Sequence, residues 1–423
     1  MRIIDVQNMD SIVESVRPKT NSDVRQKVLS IISDVRKRKD SALKEYETKF
    51  SGVPIRTLKI TRQEIKSAYS KVGKEQINGI KLAKTRLEKS EGAVRKKLQD
   101  VSITLDGVVI KKAFLPIDVV GCYIPGGKAR YPSTVIMSVI PAKVAGVKKI
   151  IAVSPPNEKG KIDPLTLVAA DICGVDEFYR IGGAQAIAAL AYGTESIPQV
   201  DKIVGPGGAF VTLAKSLLSE IVSIDMVAGP TELAIVADST ADAELVALDL
   251  ISQAEHSTDT MCCVITNSSK LKNAVLVSLQ KKIKIIDRSS IVKESLQKNG
   301  FIAICNTEQQ MIDFANKLAP EHLEIITKKP QQLASKIKSA GLILIGKNTP
   351  SSASDYLLGS NHILPTNRFG RTRGSLGVLD YLKIRTQVES SELALKKISK
   401  YMNALTEAEG LPNHYEAVRG RLS

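Results

Sequence analysis

A glutamate and a histidine stand side by side at Glu321 and His322, within the segment 319–325, which reads APEHLEI. Imidazole is the side chain whose ordinary pKa lies near neutrality, so a histidine beside a carboxylate can move protons at working pH. An apolar run over 323–326 follows the pair and predicts a buried strand. Because an acidic residue or a histidine at a strand edge is commonly a capping or solvated group, this pair alone is weak evidence of catalysis.

The chain has only four histidines, and the other three also lie among side chains that can do chemistry. His256 follows Gln253 by three positions at the end of a predicted helix, so both side chains project from one helix face. Asp355, His362 and His414 stand in separate segments further along the chain. Zinc is usually held by four ligands drawn from histidine, cysteine and carboxylates. The residue types therefore suggest a metal site, although their spacing alone leaves coincidence as an alternative.

Length and composition indicate a multidomain protein of the cytoplasm. A chain of 423 residues is too long for one hydrophobic core, and its 43% apolar and 25% charged content is ordinary for a soluble globular protein. No segment approaches the roughly 18 consecutive apolar residues of a membrane span. The first residues lack the layout of a signal peptide, and five cysteines without paired spacing fit a reducing compartment. We therefore expect a cytoplasmic protein with no membrane partner.

The net charge of +16 raises the question of nucleic acid as a partner. The basic residues concentrate in predicted helices such as 35–39 and 81–97. No aromatic residue interleaves them, the chain has no tryptophan, and no zinc-finger or RNA-binding signature is present. Solvated helix faces explain the charge better than a binding patch. A nucleic-acid-binding protein remains the alternative from outside the enzymes.

The pattern of predicted elements changes at residue 118. Residues 1–112 predict helices with polar faces, and beyond about Gly377 the chain is again expected to be polar and helical. Between these regions apolar strands alternate with helices, which indicates an α/β fold with doubly wound parallel sheets. The expected strands are 119–124, 149–153, 178–181, 202–204, 224–228, 233–237, 262–266, 283–286, 301–305, 323–326 and 342–345.

Three glycine-rich turns follow expected strands, at 123–127 (YIPGG), 181–185 (IGGAQ) and 204–208 (VGPGG). Glycine lets a phosphate approach the backbone, and the N-terminus of the following helix favours an anion. None of the three is the Gly-x-Gly-x-x-Gly fingerprint, so the turns alone are weak evidence for a dinucleotide. Their placement after successive strands of one sheet nevertheless predicts a ligand-binding edge at the carboxyl ends of those strands.

Together these motifs resemble the histidinol dehydrogenase family over essentially the whole chain. The resemblance rests on 123–127, 182–190, 229–232 (GPTE), 252–256 (SQAEH), 320–323 (PEHL) and 360–366 (SNHILPT). It implies an oxidoreductase of histidine biosynthesis that converts L-histidinol to L-histidine through a bound aldehyde, consuming two NAD. It also implies one zinc ion per subunit and a homodimer with shared active sites.

The resemblance carries a role to individual residues of this chain. His322 would be the general base in both oxidations, and Glu321 would activate the water that adds to the aldehyde. The zinc ligands would be Gln253, His256, Asp355 and His414. The substrate-binding positions would be Thr231, Gln253, His256, His322, Asp355, His362, Glu409 and His414. The positions that contact NAD would be Tyr123, Gln185 and Gly208.

The fold implied by the resemblance has two Rossmann-like, doubly wound parallel-sheet domains with helical extensions at both termini. The expected divisions are an N-terminal helical arm (1–22), an α/β domain with the metal and acid–base residues (23–117 and 226–378), an NAD-binding domain (118–225) and a helical tail (379–423). The tail is expected to dock on the partner subunit and to carry His414 into the partner's site.

Two positions depart from the family pattern, and two other enzyme classes remain as alternatives. Gly208 replaces a common asparagine and removes one side-chain contact to NAD, while Thr231 replaces a common serine and keeps the hydroxyl. A zinc hydrolase could also use Glu321 to activate water, but it would not need the glycine-rich turns. An aldehyde dehydrogenase with a cysteine nucleophile would need a reactive thiolate, for which Cys122 is the candidate.

Overall fold

The computed structural model describes residues 1–16, 22–126 and 130–422 and contains three sheets. The strands are β1 (Arg2–Asp5), β2 (Val101–Leu105), β3 (Val108–Pro116), β4 (Val119–Tyr123), β5 (Lys149–Ser154), β6 (Glu177–Arg180), β7 (Lys202–Val204), β8 (Ser223–Ile224), β9 (Glu232–Ala237), β10 (Met261–Thr266), β11 (Phe301–Ile304), β12 (His322–Ile326), β13 (Leu342–Ile345) and β14 (Leu382–Ser390).

Helices cover most of the surface of these sheets. They are α1 (Met9–Ser15), α2 (Ser22–Arg38), α3 (Asp40–Ser51), α4 (Arg62–Tyr69), α5 (Lys74–Lys97), α6 (Pro132–Ala145), α7 (Pro164–Cys173), α8 (Gly183–Tyr192), α9 (Ala209–Leu217), α10 (Ala243–Ala254), α11 (Ser269–Lys282), α12 (Ser289–Lys298), α13 (Glu308–Leu318), α14 (Pro330–Ala334), α15 (Ser351–Ser354), α16 (Glu392–Ala408) and α17 (Pro412–Arg419). In the described part of the chain, no helix is long and apolar enough to cross a membrane.

The first parallel sheet has five strands in the order β6-β5-β4-β7-β8. Successive strand residues alternate between two hydrophobic cores, one formed with α5, α6 and α7 and the other with α2, α3, α8 and α9. Burial on both faces explains why these strands read as continuous apolar runs. The strand order reverses between β4 and β7, which creates a crevice at the carboxyl ends of these two strands.

The second parallel sheet has six strands in the order β1-β11-β10-β9-β12-β13. Without β1 its strands follow the same order as the first sheet, with the reversal between β9 and β12. Helices α1, α13 and α14 cover one face, and α10, α11 and α12 cover the other. The expectation of an α/β fold with two doubly wound parallel sheets is confirmed.

The third sheet is antiparallel, in the order β14-β3-β2, and joins the region before the first parallel sheet to the C-terminal tail. Strand β14 is exposed along nearly its whole length. Large apolar side chains on β14 and β2 face solvent, including Ile384 (62% exposed), Val388 (64%) and Leu105 (55%). This sheet therefore offers an apolar surface that remains exposed among residues 1–16, 22–126 and 130–422.

Several local expectations are wrong, and the reason lies in contacts distant in sequence. Residues 1–112 include not only helices but also β1, β2 and β3, which form because the free edges of β11 and β14 provide hydrogen-bonding partners. The region after Gly377 likewise begins with the strand β14. Residues 283–286 form no strand, since they leave the end of α11 in a turn with Ile285 exposed. Of the expected strand 224–228, only Ile224 lies in a strand, the two-residue β8, which pairs with β7.

The packing of the N-terminal third also differs from the expected division of the chain. Helices α2 to α5 pack on the helices of the five-stranded sheet, with α2 against α8 and α9, and with α4 and α5 against α7. They do not join the six-stranded sheet, with which residues 23–117 were grouped. The expected N-terminal arm instead supplies β1 and α1 to the six-stranded sheet.

Candidate active site between the two parallel sheets

A cavity of about 380 Å³ lies between the two parallel sheets. One wall is the carboxyl edge of the five-stranded sheet, where Pro125 follows β4, Gly205 follows β7 and Asp225 follows β8. The opposite wall is the amino edge of the six-stranded sheet, where Thr231 precedes β9 and Glu321 precedes β12. The cavity therefore touches each sheet at its point of strand-order reversal.

The acid–base pair lies at the start of β12. Glu321 and His322 are 7% and 2% exposed and both line the cavity. The carboxylate Oε2 of Glu321 accepts the backbone N–H of Glu232 at 2.8 Å, and the backbone N–H of Glu321 donates to Oε2 of Glu232 at 3.2 Å. This reciprocal pair of hydrogen bonds fixes the beginnings of β9 and β12 against each other.

The surroundings of His322 determine which ring nitrogen can act as a base. Its Nδ1 lies 3.3 Å from the carbonyl oxygen of Glu232, which only accepts, so Nδ1 carries the hydrogen. Its Nε2 is buried without a hydrogen-bond partner among the described residues and lies 3.4 Å from Oδ1 of Asp355. In neutral imidazole this nitrogen holds the free lone pair.

Burial and neighbouring charges shift the pKa values of the four ionisable groups of this cluster away from their ordinary values. Burial raises the pKa of Glu321 to about 8 and that of Glu232 to about 7. Burial alone would lower the pKa of His322, but the charges of Glu321 and Asp355 outweigh it and raise the pKa to about 9. Burial opposes ionisation of Asp355, yet its contact with His322 lowers the pKa of that carboxyl. Glu232 and Glu321 can therefore gain and lose protons near pH 7, whereas Asp355 stays ionised and His322 is mostly protonated there.

Three of the four expected metal ligands line the cavity close to this pair. Gln253 is buried at the end of α10, His256 stands at the exposed rim, and Asp355 follows α15. Nε2 of Gln253 and Oδ1 of Asp355 are buried without hydrogen-bond partners in the described part of the chain. Because the two ends of an amide are assigned from hydrogen bonding, rotation of the Gln253 amide would present its oxygen instead. The amide oxygen of Gln253, the carboxylate of Asp355 and the imidazole of His256 would together suit a metal ion that takes nitrogen and oxygen ligands.

No group of three His, Cys, Asp or Glu side chains is arranged to hold a metal ion within 1–16, 22–126 and 130–422. Two features of the expected ligand set account for this. One ligand, Gln253, is an amide, and another, His414, does not line the cavity. His414 is exposed on α17, and the expected substrate residue Glu409 is exposed just after α16. One protomer therefore brings together Gln253, His256 and Asp355, but not His414.

The remaining expected substrate residues, Thr231 and His362, do line the cavity. Nδ1 of His362 donates to the backbone carbonyl of Asp355 at 2.8 Å, while its Nε2 lies 3.5 Å from Oγ1 of Thr134. Burial lowers the pKa of His362. A neutral ring fixed in this way can present a polar edge to a ligand without adding a charge.

The three expected cofactor residues are placed differently from one another. Gly208 lines the cavity, whereas Tyr123 and Gln185 are buried outside its lining. Oη of Tyr123 accepts the backbone N–H of Gly183 at 3.1 Å, and Nε2 of Gln185 donates to Oε1 of Glu47 at 2.8 Å. The first N–H group of α8 and the amide of Gln185 thus have hydrogen-bond partners within the protein. Gly127, at the end of the first glycine-rich turn, lies outside the described residues.

Sequence reasoning missed Glu232 as a residue of the site. This glutamate lies in the GPTE segment and begins an otherwise apolar strand, β9, next to β12. Its carboxylate also accepts the backbone N–H of Asn367 at 2.9 Å. An acidic residue at the start of an apolar strand could have indicated this position, because a buried carboxylate is stable only when specific hydrogen bonds compensate for its burial.

All five cysteines are free and buried. Cys122 lies within β4 and outside the cavity lining, and burial raises the pKa of its thiol well above the ordinary value. A thiolate nucleophile is therefore disfavoured at this position.

Comparison with known proteins agrees with this architecture. The family model for histidinol dehydrogenase matches residues 15–422. The chain is 44% identical over 407 residues to the histidinol dehydrogenase of Methanocaldococcus jannaschii, covering 96% of this chain and 94% of that protein. It is 42% identical over 416 residues to that of Oceanobacillus iheyensis, covering 98% and 96%. The crystal structure of histidinol dehydrogenase from Elizabethkingia anophelis superposes with a TM-score of 0.93 at 34% identity, covering 100% of this chain and 98% of that one. The chain belongs to the histidinol dehydrogenase family.

Proposed function

We propose that the protein catalyses the NAD-linked, zinc-dependent oxidation of L-histidinol to L-histidine through bound histidinal, the last two oxidations of histidine biosynthesis. The observation that carries the proposal is the cavity itself, which has an acid–base pair and nitrogen and oxygen donors on one wall and an open glycine-rich turn on the other. The cytoplasm is the proposed compartment, in keeping with five unpaired cysteines.

The first oxidation needs a base for the alcohol proton and an acceptor for the hydride. Nε2 is the base in the neutral form of His322, because the other ring nitrogen donates its hydrogen to the carbonyl oxygen of Glu232. NAD supplies the hydride acceptor. Loss of the proton to His322 and of the hydride from the alcohol carbon converts histidinol to histidinal and leaves one NADH.

The second oxidation begins with the addition of water to the aldehyde. Glu321, in its ionised form, takes a proton from that water while His322 returns the alcohol proton to the aldehyde oxygen, which gives the hydrate and a neutral imidazole. The hydrate then loses one hydroxyl proton to His322 and its hydride to a second NAD, and the carboxylic acid formed releases its proton to solvent. The product is the carboxylate of histidine. Because Glu321 and His322 are adjacent, the same cavity can carry out both steps without releasing the aldehyde.

Zinc would be held in this protomer by Gln253, His256 and Asp355, which line the cavity. The side chains of Gln253 and Asp355 each have a buried polar atom without a hydrogen-bond partner among the described residues. When bound, it would polarise the alcohol oxygen and orient the substrate. Exhaustive chelation is expected to remove activity while leaving the melting temperature nearly unchanged, because both parallel sheets have cores of their own. Full activity in protein that contains no metal would contradict the zinc requirement.

The proposed reaction is tested by counting its products. Incubation of the purified protein with L-histidinol, NAD and zinc should yield two NADH for each histidine formed. Histidinal supplied in place of histidinol should yield one NADH. No NADH formation with either substrate, in protein with bound zinc, would contradict the proposal.

We further propose that the enzyme is a homodimer in which His414 and Glu409 complete the site of the partner subunit. The support is that both residues are exposed in the C-terminal tail of their own chain. Tail helix α16 also exposes apolar side chains, including Leu393 (66%) and Leu405 (64%), next to the exposed apolar sheet described above. A second copy of the chain would bury both surfaces and order the tail.

Complementation tests this arrangement. His322→Ala and His414→Ala, each expected to be inactive, are unfolded together and refolded with zinc. If His414 acts on the partner, a mixed dimer has one intact site, and statistical pairing makes half of the dimers mixed, so activity should recover to about a quarter of wild type. Absence of recovery when mixed dimers are shown to be present would contradict the shared site.

A further inference from the structure

A lysine and an aspartate form a buried ion pair at the wall of the cavity, where Asp225 belongs to the lining. Lys215 lies on α9 and Asp225 follows β8, and their side chains are 2% and 0% exposed. The ammonium group of Lys215 donates to Oδ1 of Asp225. Removing two charges from water is energetically costly, so a buried ion pair is weak evidence for stability. The acid–base chemistry proposed above does not use either residue.

Both members of the pair contact the backbone of a single residue, Gly205. Oδ2 of Asp225 accepts the N–H of Gly205 at 2.8 Å, and Nζ of Lys215 donates to the carbonyl oxygen of Gly205 at 2.9 Å. Oδ1 of Asp225 also accepts the N–H of Met226 at 2.6 Å. The ion pair thus binds the one donor and the one acceptor of the glycine that begins the turn.

The conformation of Gly205 leaves little freedom for the turn to move. Its φ is +109°, and a methyl group at its α-carbon would lie 2.1 Å from the carbonyl oxygen of Tyr123. The direction in which the chain leaves β7 is therefore defined by three features of Gly205. They are its close approach to β4, its positive φ and its two contacts with charged side chains.

The turn that follows presents the beginning of α9 to the cavity. Gly208 is the N-cap of α9, and its side-chain position is empty, so no side chain caps the first N–H groups of the helix. Residues 205–208 all line the cavity. The N-terminus of a helix attracts anions such as the phosphates of a dinucleotide, provided that its N–H groups are held in the required direction.

We propose that Lys215 and Asp225 are positioning residues for the cofactor, and that the buried pair holds turn 205–208 in the conformation that binds the phosphates of NAD. This inference rests on the proposed function, because it assumes that NAD occupies this side of the cavity. Neither residue contacts the reacting atoms. Their loss should therefore weaken NAD binding without changing the binding of histidinol or the rate constant at saturating NAD.

The test uses the double variant Lys215→Met, Asp225→Asn, which leaves no unpaired buried charge. The amide oxygen of the new asparagine can still accept the N–H of Gly205, but methionine cannot donate to the carbonyl of Gly205. We expect the Kd for NAD, measured by calorimetry on the zinc-loaded protein, and the KM for NAD to rise about tenfold or more, the effect of losing hydrogen bonds to a charged group. The Kd for histidinol and kcat should stay within about twofold of wild type.

Lys202→Met is the matched control. Lys202 is also a buried lysine, it lies on β7 directly before the turn, and its Nζ donates to the backbone carbonyl of Asp380 at 2.6 Å. Its replacement removes a buried charge and a hydrogen bond from the same sheet but no contact with Gly205. This variant should lose stability and keep the wild-type Kd for NAD.

Three outcomes would overturn the inference. One is a folded double variant with the wild-type Kd for NAD, and another is an equal loss of affinity for NAD and for histidinol, which would show a merely structural role. The third is an equal loss of NAD affinity in Lys202→Met. If the double variant does not fold, Lys215→Met alone is measured, because it still removes the hydrogen bond to the carbonyl of Gly205. An unchanged Kd for NAD in that folded variant also overturns the inference. Wild-type protein that binds no NAD would instead defeat the proposed function.

Discussion

The two parallel sheets have the same order of strands around their reversal points, yet they face the cavity with opposite edges. The five-stranded sheet contributes its carboxyl edge, where the turn after β7 leads into the N-terminus of α9. The six-stranded sheet contributes its amino edge, where α10 ends beside Gln253 and α13 ends just before Glu321. The same topology thus provides two chemically different walls.

The difference follows from the direction of the helices. At the carboxyl edge, helices begin, and their partial positive charge and free N–H groups suit an anionic cofactor. At the amino edge, helices end, and their partial negative charge suits a cation such as a metal ion. Side chains at the strand starts, rather than backbone groups, then supply the carboxylates and the imidazole. We therefore expect substitutions at the amino edge to affect the chemical steps and substitutions at the carboxyl edge to affect NAD affinity.

The largest expected effect comes from His322 at the amino edge. His322→Asn keeps a polar side chain but removes the free imidazole nitrogen, so kcat for both histidinol and histidinal should fall about a thousandfold. The Kd for NAD should not change, because the glycine-rich turn lies on the opposite wall. Steady-state kinetics with each substrate and calorimetry with NAD measure the two quantities. A large loss of NAD affinity would contradict the separation of the two walls.

Glu321→Gln should affect one half-reaction more than the other. Only the second oxidation consumes water, so kcat with histidinal is expected to fall about a hundredfold while the histidinol step, measured in a single turnover, falls only a few-fold. The amide can still accept the backbone N–H of Glu232, which preserves the start of β12. Equal loss of both half-reactions would show that Glu321 does not act on the water.

A gain of affinity should be possible at the carboxyl edge. Gly208 has no heavy atom within 4 Å of the position of an added β-carbon and a φ of −69°, so Gly208→Asn fits without strain. The amide would face the cavity and add a hydrogen bond of about 1 kcal/mol, lowering the Kd for NAD about fivefold with kcat unchanged. Gly208→Ala is the control and should leave the Kd as it is. Identical behaviour of the two variants would contradict a side-chain contact at this position.

The smallest expected effect on activity concerns the other glycine-rich turn, which the protein closes from within. Oε1 of Glu47 accepts the N–H of Gly182 at 2.9 Å as well as the amide of Gln185. Burial raises the pKa of Glu47 from 4.5 to about 7. Between these values the folded state holds a proton that the unfolded state has lost, so the free energy of unfolding should decrease as the pH rises from about 4.5 to about 7.

Glu47→Gln removes this titration and keeps an oxygen that can accept both hydrogen bonds. The variant should match wild type near pH 4.5 and exceed it above pH 7 by up to about 3 kcal/mol in the free energy of unfolding. Urea unfolding at pH 5 and pH 8 measures the difference, with the exposed Glu75→Gln as control. If the free energy of unfolding of wild type increased relative to that of Glu47→Gln between pH 5 and pH 8, the predicted direction of the effect would be wrong. NAD affinity should stay unchanged, because this turn belongs to the framework and not to the cavity.

Local signals were sufficient for many elements. Helix α7 is delimited by local signals, because Asp163 caps its start, Pro164 occupies its first turn and Gly174 ends it in a left-handed conformation. Strand β13 also has the expected bounds, since its apolar run is short and well delimited. By contrast, the local pattern at β1 predicts a helix, because the pairing partner of this strand, β11, is about 300 residues away.

The sequence by itself determined the residue types of the site and the family to which the chain belongs. It also determined the helix and strand positions that depend on neighbouring residues. The tertiary structure decided that Glu232 lies against Glu321, because only the parallel register of β9 and β12 brings the two strand starts together. It also decided that turn 205–208 is open while turn 182–185 is closed by Glu47 and Tyr123. Both turns are glycine-rich before a helix, and their difference depends on side chains that come from elsewhere in the chain.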